Sequence, residues 1–164
     1  MLDKLLLLVL ITFIPALELR LSIPIGILSG KIDLPFGFVL EGMGLPWPLV
    51  FAVAVGSNML LGPILYFALH HLLKHVLKIP FAPLLYNRAA ARASAKTRAL
   101  IEKYGFIGLA LFIGFPLPGT GSWSGALAAY LLGIPAKKFV AANALGVLLA
   151  GTVVTAVALG VVAL

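Results

Sequence analysis

The feature that most limits what this chain can fold into is the length of its uncharged runs. From Leu49 to Leu73, and again from Phe139 to Leu164, no Asp, Glu, Lys or Arg occurs. Each run holds about 25 residues, or about 37 Å of helix, against a hydrocarbon core of about 30 Å. Charged residues make up 10% of the chain, where a soluble domain carries about 25%. Water cannot solvate such a surface, so its solvent is lipid. Segments of alternating hydrophobicity, which build membrane barrels, do not occur. The expected class is all-α and integral to the membrane, as one membrane domain over residues 1–164.

Two further apolar blocks, Leu5–Leu28 and Gly105–Ile134, are interrupted, and the first is followed by an expected loop, KIDLPFGFVLEGMGLPWP, over residues 31–48. Pro15 and Pro24 bracket Glu18 and Arg20 in PALELRLSIPIG, and the second block breaks at FPLPGTGSW, residues 115–123. Two prolines and two glycines in so short a stretch do not continue a helix. The arms on either side have about ten residues each, or about 15 Å, half a bilayer. A helix that enters, turns and leaves by the same face fits this pattern. Its irregular backbone is tolerated where protein or water covers it. The charge bias points the same way. Nine of the twelve basic residues fall between Lys74 and Lys138, with Glu102 the one acid among them. Cations flanking apolar spans mark the cytoplasmic side. With both interrupted blocks as hairpins, all nine lie inside and both termini outside. The chain then reads as two inverted repeats, each a re-entrant helical hairpin plus a transmembrane helix. Residues 1–78 and 105–164 form the repeats, and 79–104 a basic amphipathic linker on the cytoplasmic side of a multi-pass plasma-membrane protein. Inverted repeats that meet at the midplane through broken helices are a transporter signature.

The polar residues inside the apolar blocks are the candidates for function. Glu18 is the one carboxylate within such a block, and an ionised group there costs at least about 2.5–3.5 kcal/mol. It reads as a proton or substrate site, or as half of a structural ion pair with Arg20. Residues two apart in a regular helix point away from each other, so direct pairing requires a broken backbone. Arg20 offers a planar fork suited to a carboxylate or phosphate, and Pro24 closes the motif. Gly119, Thr120, Gly121 and Ser122 form either a tight turn or a helix N-terminus whose amides face an anion. Trp123, just after that turn, is placed to wall a cavity, whereas Trp47, between Pro46 and Pro48, suits the membrane interface. Asn58 lies about 13 Å into its span, as a lining residue or a helix–helix hydrogen bond. His70, His71 and His75 include a pair spaced by four, but no acid or cysteine stands near to complete a metal site. Arg88, Arg92 and Lys96 form a stripe that suits anionic headgroups or water.

The segments ELRLSIPIG (18–26), VGSNML (55–60) and PLPGTGSWSGALAAYLLGI (116–134) resemble the small multidrug export proteins, over nearly the whole chain. The architecture is similar to the wider DedA group, which pairs two re-entrant hairpins with spanning helices. That resemblance implies movement of lipid phosphates such as undecaprenyl phosphate. DedA second hairpins carry arginines, whereas residues 106–134 here hold no charged side chain.

The function expected is therefore membrane transport, proton-coupled through Glu18, of an amphipathic small molecule or lipid. Energy-independent translocation of a lipid phosphate and a structural or assembly role are the alternatives. No nucleophile–base constellation or cofactor motif is present, so neither an enzyme nor a cofactor or metal is expected. Membrane lipids are the expected partners, with room for a homodimer and no nucleic acid. The chain has no cysteine, so introduced thiols report cleanly on topology. Single cysteines at positions 31 and 138 are expected to react with an impermeant maleimide from opposite faces of the membrane. Reaction of both from one face would reject the paired-hairpin topology.

Overall fold

The computed structural model describes residues 1–15, 17–33, 39–76, 104–115 and 120–162. Helix α1 spans Leu2–Phe13 and α2 spans Glu18–Ile27. Strands β1 (Ser29–Asp33) and β2 (Val39–Met43) lead to α3 (Trp47–Val76). Then come α4 (Tyr104–Gly114), α5 (Ser122–Leu131) and α6 (Ala136–Val162). The chain is thus mostly helical, and α3 and α6 are long and apolar enough to cross a membrane. Most of the linker expected over 79–104, with Arg88, Arg92 and Lys96, lies outside the described residues, as do Gly119 and the side chains of His70 and His75.

Two details differ from the sequence reading. The segment after α2, expected as a loop, contains an antiparallel ribbon in which Ser29 lies opposite Met43 and Lys31 opposite Glu41. Strand pairing satisfies backbone groups that a bare loop would leave to solvent. Pro24, expected to break the helix, sits inside α2. Pro24 has no N–H and so gives up one bond to the turn before it, yet the helix runs on to Ile27, and its C-terminal carbonyls are taken up: the Leu28 amide donates to the Pro24 carbonyl at 2.9 Å, and Leu45 and Gly44 donate to Gly26 and Leu28. Pro15 does act as a break. Ile14 before it is extended, with φ −71° and ψ 127°, because the proline ring disfavours the helical region for its predecessor.

The contacts define how the helices run. Thr12 Oγ1 lies 2.8 Å from Ser22 Oγ, and Leu8 packs at Gly26. α1 and α2 are therefore antiparallel about a turn at 14–17. Ile113 packs at Gly125, and farther along Phe106 and Leu132 line one cavity of about 360 Å³, so α4 and α5 are antiparallel too. α3 and α6 pair the same way. Phe51 and Val55 meet Gly151, Asn143 Nδ2 donates to the Met59 carbonyl at 3.3 Å, and Tyr66 stacks on Phe139 at 5.2 Å between centroids. The end of α3 therefore lies beside the start of α6, where Tyr66 also donates to the Ile134 carbonyl at 2.7 Å. The open end of the α1–α2 pair sits at the opposite end, beside the start of α3. There Lys4 Nζ donates to Met43 O at 2.7 Å and Leu45 N to Gly26 O at 2.9 Å. The turns of the two short pairs meet between α3 and α6.

Close approach depends on small residues. A Cβ on Gly146 would lie 2.7 Å from both the Ala110 carbonyl oxygen and Ile113 Cβ. Gly146→Leu is expected to cost roughly 1–3 kcal/mol through overpacking, read as a lower thermal midpoint in detergent. Gly160, which has no neighbour within 4 Å of such a Cβ, serves as the control. Gly160→Leu should change stability by no more than about 0.5 kcal/mol.

Candidate functional site

The meeting point of the two short pairs is built around one carboxylate. Glu18 opens α2 in the left-handed region, φ 44°, where among the described residues every other position with positive φ is glycine. A side chain in that region costs roughly 1–2 kcal/mol. The distortion lets residues 18 and 20 converge, which a regular helix would not. Arg20 Nη1 comes within 3.5 Å of Glu18 Oε2.

Glu18 is 1% exposed, and its carboxylate accepts three hydrogen bonds, from α3 and α5. The backbone amide of Ser122 donates to Oε2 at 3.2 Å and that of Trp123 to Oε1 at 3.1 Å. Asn58 Nδ2, from α3, donates to Oε2 at 3.3 Å. Ser122 and Trp123 open α5, whose first amides have no intrahelical partner. A helix N-terminus favours an anion both by these amides and by its dipole. Here the anion is the protein's own. Gly121 caps α5 with φ 120°, and a Cβ there would collide with the Glu18 carboxylate.

A second layer fixes this arrangement. Arg20 Nη2 donates to the Phe115 carbonyl at 3.1 Å and to Thr120 Oγ1 at 2.8 Å, tying α2 to the turn before α5. Ser122 Oγ reaches the Asn58 carbonyl at 3.5 Å, and Trp123 Nε1 donates to the Phe13 carbonyl at 3.3 Å, so α5 also holds the end of α1. Hydrogen bonds to a charged group are worth about 1.5–3 kcal/mol each. The carboxylate's three hydrogen bonds and its ion pair with Arg20 together offset the cost of placing it away from water.

The structure thus brings together Glu18, Arg20, Asn58, Thr120, Gly121, Ser122 and Trp123. Pro24 stands apart, lining a groove between α2 and α6, and Trp123 also walls a cavity of about 330 Å³ with Leu65, Leu69 and Leu127. Thr12 and Ser22 were not read as site residues. Their hydroxyls meet one turn from Glu18, and Ser22 follows Glu18 by four residues, the spacing of one helix face. The carbonyls of Phe13 and Phe115 carry no sequence signal at all. Asn143 mirrors Asn58 on α6. Its Oδ1 and that of Asn58 are buried without a partner among the described residues.

Residues 18–153 match the family described as putative small multi-drug export proteins. The chain belongs to this family. The matched region begins at Glu18 and contains every residue of the central cluster. Neither a curated protein nor a solved structure matches the chain. In this family member the dependence of the cluster on Gly121 is directly testable. Gly121→Ala combines backbone strain with a collision on the carboxylate, and is expected to cost at least about 1–3 kcal/mol. Thermal unfolding in detergent would measure it, and an unchanged midpoint would place the Glu18 carboxylate elsewhere.

Proposed function

We propose that this protein is a proton-coupled membrane transporter that moves an amphipathic small molecule through the Glu18 cluster. One observation carries the reading. An ionisable group 1% exposed stands where three separate parts of the chain converge, and intramembrane carboxylates are functional by default. The family's description as an export protein supports transport. In this reading α1–α2 and α4–α5 are re-entrant hairpins entering from opposite faces, and the two halves are inverted repeats. The packing supports it: the short pairs open toward opposite ends of the antiparallel α3–α6 pair, with their turns in contact. Lys138 lies at the end shared by α3 and α6, as expected for the cytoplasmic side of a plasma-membrane protein.

Chemically, the cluster has the parts that coupling needs. An ionised Glu18 accepts from the start of α5 and from α3 while it pairs with Arg20. A protonated Glu18 holds Arg20 and the α5 amides more weakly, so the tips part more easily. Proton uptake and rearrangement of the hairpins thereby become one step, which is how an acid at a repeat interface drives alternating access.

Glu18→Gln keeps the shape and removes the charge change. In liposomes with an internal pH-sensitive dye it is expected to insert and fold but to show no substrate-linked proton movement. Normal proton movement in that variant would remove Glu18 from the mechanism. The ion pair at 3.5 Å also favours a second reading, a structural lock. That reading predicts that Glu18→Gln fails to fold while the double variant Glu18→Arg with Arg20→Glu folds.

A further inference from the structure

Beside the central cluster, a groove of about 370 Å³ opens along the surface between α2 and α6. Arg20, Pro24 and Leu28 form one wall, and Val153, Val157 and Val161 the other. The valines recur every four residues and so share one helix face. Val157 and Val161 are 63% and 55% exposed, on the surface that meets lipid. From Arg20 to Leu28 the groove runs about 12 Å. It is apolar except at Arg20, where it meets the hairpin turns.

That guanidinium is incompletely satisfied. Nη2 has two oxygen partners, but the contact of Nη1 with Glu18, at 3.5 Å, is long; a charge-assisted pair closes to about 2.7–2.9 Å. Nε is buried and has no partner among the described residues. A cation held only loosely by its own carboxylate, at one end of an apolar groove, has the chemistry of an amphiphile site: the body lies on the valines and the anion on the fork.

We propose that the α2–α6 groove is a lateral binding site for a small amphipathic anion, a sulfonate, carboxylate or phosphate ester on a compact apolar body, which enters from the bilayer and places its anionic group on Arg20. This rests on the transporter reading and names its substrate class. The volume lies near the lower end for drug-sized ligands, about 300–1,000 Å³, which suits a compact ring system rather than a two-chain lipid. The ligand's anion competes with Glu18 for one guanidinium, so loss of the Glu18 charge strengthens binding.

The test uses the full chain in phosphatidylcholine nanodiscs, titrated with 1-pyrenesulfonate and with neutral 1-pyrenesulfonamide, each corrected for empty discs. Saturable binding is expected, with the sulfonate favoured by at least about tenfold. Arg20→Gln should abolish that preference. Glu18→Gln should bind the sulfonate at least as tightly as the parent. Val157→Trp, a change on the lipid-exposed face of α6, should fill the groove and remove binding of both probes. Equal affinity for the two probes in the parent, or undiminished binding in Val157→Trp, would overturn the proposal. So would displacement of the sulfonate by phosphatidylglycerol added to the discs, which would make the occupant a lipid. Because binding is read without proton flux, the two readings fail separately. Sulfonate binding with normal proton movement in Glu18→Gln rejects the coupling and keeps the groove. Coupled transport without sulfonate binding does the reverse.

Discussion

The structure depends on how a carboxylate is kept away from water. Glu18 sits in the turn of one short helical pair, and two backbone amides that bind it come from the turn of the other, 104 and 105 residues away. Neither turn is self-sufficient. The first presents an acid that lipid would not accept, and the second presents helix amides with no partner of their own. Each solves the other's problem. The contact therefore fixes the relative position of the pairs more firmly than apolar packing would, because in lipid the packing of apolar faces carries no hydrophobic driving force.

The surrounding framework follows from that contact. α3 and α6 supply the long apolar surfaces, and where they approach closely they do so through glycine. Gly62 lies against Asn143, and Gly151 against Val55. One asparagine on each of the two helices points inward, at the same depth. Asn58 turns its amide nitrogen to Glu18, and Asn143 turns its own to the Met59 carbonyl. Both leave a buried carbonyl oxygen without a partner among the described residues. The polar material is thus concentrated in one band across the middle of the bundle, while the outward faces of α1, α3 and α6 carry exposed Leu, Ile and Val.

Much of this was legible in the sequence, and the reason is lipid. Unbroken apolar runs declare spanning helices, and Pro15 and the 115–123 stretch declare breaks, because neither pattern has another good use in a bilayer. Glu18 and Arg20 stood out for the same reason. The convergence of Glu18 with Ser122 was not legible, since no local spacing joins positions so far apart. The turn glycines hinted at an anion but not that the anion belonged to the chain. Pro24 misled because a proline inside a helix removes one bond without having to end the helix, and the partners that hold the far end of α2, Gly44 and Leu45, come from beyond the ribbon. The ribbon itself lacked the alternation that marks a buried strand. The groove beside Arg20 was invisible for a different reason: a valine that lines a groove and a valine that faces acyl chains look alike.

The strain at Glu18 is best understood together with its partners. A left-handed glutamate costs roughly 1–2 kcal/mol, and a regular helix start would have avoided that cost. It would also have turned residues 18 and 20 apart and left the acid facing either the α5 amides or the guanidinium, but not both. The observed conformation satisfies both from a single residue. Its stability is therefore conditional on the charge of the carboxylate. With the charge present, three hydrogen bonds and an ion pair hold the distorted turn in place. With the charge gone, the donors weaken while the backbone cost remains. In the proposed mechanism this balance is what proton uptake upsets: the residue that keeps the two tips together is also the one whose neutralisation lets them part.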